Sequence, residues 1–97
     1  MIWREKSFEV LLENEWLSGT FDRVTIVTDT SGKPVSAAIL DFKTDRVASD
    51  EDIERSIKVY RPQLETYRQV LALILQLPEE KISASLLFTR LSKLVDL

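Results

Sequence analysis

Two short stretches carry charge where strands usually carry apolar side chains: GTFDRV at 19–24 and ILDFKT at 39–44. Side chains alternate along a strand, so Asp41 and Lys43 share one face while Leu40 and Phe42 share the other. This alternation frees Phe42 to serve the core, with its backbone carbonyl between the two charges. An aspartate, a carbonyl oxygen and a lysine in this order suit a hard cation with an ammonium beside it to orient water. Taken alone, D-x-K reads more readily as an ion pair on a solvated strand face. Asp22 strengthens the cation reading. Gly19, three residues before it, leaves a strand without a side chain, which marks a bulge or a close approach. A hairpin pairing the two stretches brings Asp22 and Asp41 to one end of a sheet. Two carboxylates and a carbonyl suit magnesium or manganese, which keep several waters.

The elements that must position these residues are legible in outline. SFEVLL (7–12) reads as a first strand and Glu13-Asn14 as a turn. WLSGTFDRVTIVTD (16–29) and VSAAILDFKT (35–44) are rich in β-branched and aromatic residues, with the polar loop TSGKP between them, so they form an antiparallel hairpin. Ser49 followed by Asp50, Glu51 and Asp52 is a helix start. Apolar residues then recur at Ile53, Ile57, Tyr60, Leu64, Tyr67, Leu71 and Ile74, a single helical stripe expected to pack on the sheet. Pro62 interrupts the stripe and predicts a kink or restart near Tyr60–Arg61. LPEEK ends the helix. ISASLLFTR (82–90) reads as a buried strand, and LSKLVDL adds a last short one. Gln63 and Tyr67, four apart, share one side of the helix, and the simplest role for Tyr67 is packing. The order predicts one α/β domain.

Composition narrows the chemistry. The chain has 97 residues, enough for one modest core, with 44% hydrophobic and 30% charged residues, as in a folded globular domain. It has no Cys and no His, which removes thiolate and imidazole ligands and the commonest general base. Catalysis is left to carboxylates, Lys, Tyr and hydroxyls. The net charge of −3 makes non-specific attraction to nucleic acid weak, so any such contact needs a bound cation or a local basic patch. No apolar run approaches membrane-spanning length, and Glu and Lys in MIWREKSFEV argue against a signal peptide. A cytoplasmic protein with no membrane partner is expected.

G-x-x-D-R (Gly19, Asp22, Arg23), then D-x-K (Asp41, Lys43), then Q-x-x-x-Y (Gln63, Tyr67) resembles the PD-(D/E)xK nuclease superfamily, and within it the RecB/AddA-type exonuclease domain. The likeness runs from about Arg4 to Phe88. It implies a restriction-endonuclease-like core: a mixed sheet with an antiparallel hairpin, then a long helix and a further strand. It implies Mg2+ or Mn2+ held by Asp22, Asp41 and the Phe42 carbonyl, with Lys43 orienting water and stabilising phosphate charge. Gln63 and Tyr67 would support the site or touch DNA, Arg23 would lie near phosphate, and Glu5 matches an acidic position ahead of the first strand. The implied activity is metal-dependent DNA hydrolysis in a helicase-nuclease for double-strand break repair, with the helicase part and other subunits as partners. Family members of this type also place a metal-binding His on a helix ahead of the first strand. This chain has no His, so the expectation is a single nuclease-core domain over 1–97 that is a fragment of a larger protein. The alternatives are a catalytically incomplete structural or interaction module, or an endonuclease on the same scaffold.

Overall fold

The computed structural model describes residues 1–44 and 48–97. The chain folds as β1 (Ile2–Leu12), β2 (Glu15–Thr28), β3 (Pro34–Lys43), α1 (Asp50–Leu75), a 3-10 turn (Glu79–Lys81), β4 (Ile82–Phe88) and β5 (Lys93–Asp96). The five strands form one sheet in the order β1-β2-β3-β4-β5. β3 and β4 run parallel, with α1 as their crossover, and the other neighbours are antiparallel. This is the mixed α/β architecture expected, although β1 begins at Ile2, well before Ser7, and Glu5 lies inside it.

Local chemistry sets the boundaries. Glu13 and Asn14 both take positive φ (51° and 67°), the left-handed pair that a two-residue hairpin turn requires. The β2–β3 loop is organised by Asp29, whose Oδ1 accepts hydrogen bonds from the Ser31 and Lys33 amides and the Ser31 hydroxyl. Gly32, at φ 86°, supplies its one left-handed position. At the start of α1, Asp52 N–H donates to Ser49 Oγ while the Asp52 carboxylate accepts from Ala48 N–H, so two otherwise orphaned donors are satisfied. The Ala48 amide, ahead of the helix itself, holds the Asp52 carboxyl below its usual range.

Pro62 does not divide the helix. α1 runs unbroken through it, and both Pro62 and Lys58, the residue whose carbonyl loses its usual donor, are exposed. No helix of the described residues is long and apolar enough to cross a membrane.

α1 covers one face of the sheet. The core between them contains Phe8, Phe21, Val24, Ile39, Leu64, Val70, Leu71, Leu86 and Phe88, all buried. β4 alternates rather than being buried on both sides: Ile82, Ala84, Leu86 and Phe88 point to α1, and Ser83 is exposed. Arg68 ties the helix to this strand by donating to the carbonyls of Ile82 and Glu79 while pairing with Glu65. The helical stripe holds at Ile53, Leu64 and Leu71. Ile74 departs from it at 39% exposed, because Val70 and Ala72 take the inward positions at the end of the helix. Phe42 also departs from expectation. It is 39% exposed and lies on the face opposite α1, so it is not a core neighbour of the stripe.

Truncation should follow this burial. Leu64→Ala and Leu71→Ala are expected to cost about 2–5 kcal/mol each in chemical denaturation, whereas Ile74→Ala should cost well under that range. Equal losses at Leu64 and Ile74 would mean that the helix packs in another rotation.

Candidate active site

The site begins with an irregularity shared by β1 and β2. Their ladder steps from Arg4–Arg23 to Lys6–Phe21 and skips the rung of Glu5 and Asp22. Glu5 stands there at φ 48°. A strand normally buries every second residue, yet β2 buries Phe21 and then Val24. The kink resets the alternation, so both phenylalanine and valine face α1, and Asp22 falls at the turning point. Pairing of β2 with β3 reaches Arg23–Leu40 and goes no further toward this end. Beyond it, Asp22 Oδ2 accepts the Phe42 N–H at 2.9 Å. A side-chain carboxylate thus takes a backbone donor that the ladder leaves over.

Asp41 and Lys43 lie on the helix side of β3, the face expected to belong to Phe42. Asp41 is only 6% exposed, so the solvated ion pair is not what forms. The Lys43 ammonium pairs with Asp41 Oδ2 at 2.7 Å inside this buried setting. Burial first, and the adjoining Asp22 carboxyl second, push the Asp41 carboxyl above its ordinary pKa despite the opposing pull of Lys43. The hairpin therefore does bring Asp22 and Asp41 together. The end of β3 is held from the other side, where Thr89 N–H donates to the Lys43 carbonyl and Arg90 Nε to that of Thr44.

One contributor escaped the sequence reading. Lys43 Nζ lies 4.0 Å from the centroid of the Tyr60 ring, a cation–π contact from α1 that aims the ammonium at Asp41. Tyr60 looked like one more member of the apolar stripe. Only the crossing of helix and strand shows what its ring covers.

The remaining residues sort by distance from the carboxylates. Gly19 is no bulge: it sits in register opposite Phe8, and a Cβ there would come within 2.8 Å of both the Phe8 ring and the Tyr67 hydroxyl. Its role is to let those rings close. Tyr67 meets Phe8 and Phe21 edge to face at 5.3 and 5.5 Å, and Gln63 Nε2 reaches its hydroxyl at 3.4 Å. The Q-x-x-x-Y pair thus braces Phe21, the residue before Asp22, and does not stand among the charges. Glu5, Arg23 and Asp22 line a cleft on the opposite face, together with Arg4 and Phe42.

A family model of the PD-(D/E)XK nuclease superfamily matches residues 2–96. The chain belongs to that superfamily. No curated protein matches it closely enough to narrow the assignment. Superfamily nucleases hydrolyse nucleic acid, generally with divalent metals. Among the described residues no three carboxylates, imidazoles or thiolates cluster as a metal cage. What this chain offers a metal is the Asp22–Asp41 pair, and it fits one: a buried carboxyl crowded by a second carboxyl gains from a cation.

The sign of the Asp41 shift makes this testable. A carboxyl that holds its proton more tightly folded than unfolded stabilises the fold below its ordinary 3.8, and that contribution is lost as pH rises through the folded-state value. Charging the buried Asp41 carboxyl costs the fold stability. Asp41→Asn should therefore raise Tm at pH 7 and flatten its pH dependence between pH 3.8 and neutrality. Added Mg2+ or Mn2+ should raise Tm of the parent and leave the variant unmoved. A lower Tm for Asp41→Asn would show that the Lys43 contact outweighs the repulsion.

Proposed function

We propose that the chain is the nuclease core of a RecB/AddA-type DNA exonuclease acting in cytoplasmic double-strand break repair and recombination. Its partners in this reading are DNA, a helicase part of the same protein and further subunits. The observation that carries the nuclease part is the meeting of Asp22, Asp41 and Lys43 at the one place where β2 and β3 stop pairing. The narrower RecB/AddA flavour is supported by Gly19-x-x-Asp22-Arg23 and Gln63-x-x-x-Tyr67, which meet as a single braced unit around Phe21.

In this reading Asp22 and Asp41, with the Phe42 carbonyl, would hold Mg2+ or Mn2+. The cation supplies a more acidic water and an offset to negative charge building on the phosphate. The chain's own residues do the positioning. Asp22 is held by the Phe42 amide, which keeps its carboxylate beside Asp41. Asp41 is kept off solvent, which strengthens its pull on any charge beside it. Lys43, held between Asp41 and the Tyr60 ring, presents a cation to the phosphate oxygen or the incoming water. A second reading, a nuclease-fold module that binds DNA without cutting, is favoured by the sparse ligand set of two carboxylates.

Linear duplex, single-stranded and closed circular DNA incubated with Mg2+, Mn2+ or chelator separate these readings. Metal-dependent loss of linear DNA is expected, with closed circles spared. Asp41→Ala or Lys43→Ala should reduce the rate at least about a hundredfold. Cut circles would make the activity endonucleolytic. Cleavage that survives Asp41→Ala would remove the site. Tyr60→Leu should slow cleavage about tenfold, and more than Tyr60→Phe does, since Phe keeps the ring over Lys43. Equal rates for the two Tyr60 variants would make the ring incidental.

A further inference from the structure

The face of the sheet opposite α1 carries a feature that folding alone does not explain. Arg4 and Arg23 are direct cross-strand partners in β1 and β2. Their alternation places them on the open face, since Val24 and Ile39 on the adjoining rungs are buried against the helix. Directly opposed residues on one face stand about 5 Å apart at Cβ, and like charges there destabilise a sheet. Among the described residues neither guanidinium takes part in an ion pair, although Glu5 and Asp22 line the same cleft. The Arg23 Nε is buried and has no hydrogen-bond partner. Asp22 is already engaged by the Phe42 amide and the Asp41 carboxyl.

Two unpaired cations and an orphaned buried donor describe a place for an anion. The cleft has a volume of about 360 Å3, and the fifth residue lining it is Phe42, an aromatic ring left 39% exposed. Phosphate binds to paired guanidiniums, and a free base stacks on an exposed ring. A ligand with both groups in succession is a single nucleic-acid strand.

We infer that Arg4, Arg23 and Phe42 form a single-strand subsite, the arginines clamping one phosphate and the ring stacking a base. It rests on the proposed nuclease function for its choice of ligand, and Asp22 joins the two sites. Asp22 lines this cleft with one side and meets Asp41 with the other, so the clamped phosphate neighbours the one that Asp41 and Lys43 address on the helix side. The strand would bend over the end of the β2–β3 ladder, where pairing stops and leaves room. This gives an acidic chain the local basic patch that its global field lacks.

Binding, read apart from cleavage, tests this. The 97-residue chain carrying Asp41→Asn is titrated, with chelator, against a short fluorescent single-stranded oligodeoxynucleotide, and against the same sequence as duplex, by anisotropy. Arg4→Gln, Arg23→Gln and Phe42→Leu should each weaken single-strand affinity about tenfold. Each arginine change should also lower the slope of log affinity on log salt by about one. Phe42→Leu keeps the backbone carbonyl and should leave that slope unchanged. Thermal melting guards against misfolding: Arg4→Gln relieves a like-charge pair, so its Tm should equal or exceed that of its parent. Unchanged single-strand affinity in all three variants overturns the subsite, as does duplex binding that is equally tight and indifferent to Phe42. The two readings fail separately. If the parent shows no metal-dependent cleavage while Arg4→Gln still weakens binding, the nuclease reading falls and the clamp stands. If cleavage depends on Asp41 while the clamp variants bind normally, the reverse holds.

Discussion

One hydrogen bond organises the functional end of this molecule: Phe42 N–H to Asp22 Oδ2, at the rung where β2 and β3 stop exchanging backbone bonds. An antiparallel ladder that simply continued would satisfy the Phe42 amide with a carbonyl and send Asp22 wherever its alternation dictated. The kink at Glu5 and Asp22 prevents this. It frees one backbone donor and turns one carboxylate to meet it, and in doing so it sets Asp22 beside Asp41. The crowding of acids, the raised pKa of Asp41 and the open cleft on the far face all trace to that local break in pairing.

Such a break costs pairing energy and must be held by its surroundings. On the helix side the holding group is aromatic. Phe8, Phe21 and Tyr67 form a mutual cluster, closed over Gly19 because no larger residue leaves room for two rings. Phe21 is immobilised immediately before Asp22, so the carboxylate inherits its position from the core. At the other strand end, the Lys43 carbonyl is gripped by Thr89 while the Lys43 side chain rests on Tyr60. The charged residues are thus strained, and the apolar and backbone contacts around them are well satisfied. That is the distribution expected when a site is kept at some cost to stability.

The two faces of the sheet divide the work. The face under α1 holds the core together with Asp41 and Lys43, where low dielectric strengthens each charge. The open face carries Arg4, Arg23 and Phe42, the residues proposed to hold a nucleic-acid strand. Asp22 lines the open cleft and also meets Asp41. In the proposed reading, an elongated substrate and a buried reacting centre make opposite demands on solvent exposure, and a kinked strand end meets both with a single carboxylate.

By itself the sequence determined the element types and their order and the side-chain chemistry available. Period-two and period-3.6 patterns are local, as are the Ser49 cap and the Glu13-Asn14 turn, so they can be read without tertiary contacts. The absence of Cys and His was decisive for the same reason. Which face each residue occupied was another matter. Strict alternation assigned Phe42 to the core and left Asp41 with solvent, and the sheet did the opposite, because only the position of α1 across β3 chooses the buried side. Pro62 looked like a break and is not one: the helix runs through it on its exposed side. Arg4 and Tyr60 carried no signal of the contacts they make here. Each acquires its meaning from a partner distant along the chain, Arg23 by strand register and Lys43 by the crossing of a helix over a strand, and register and crossing exist only once the chain has folded.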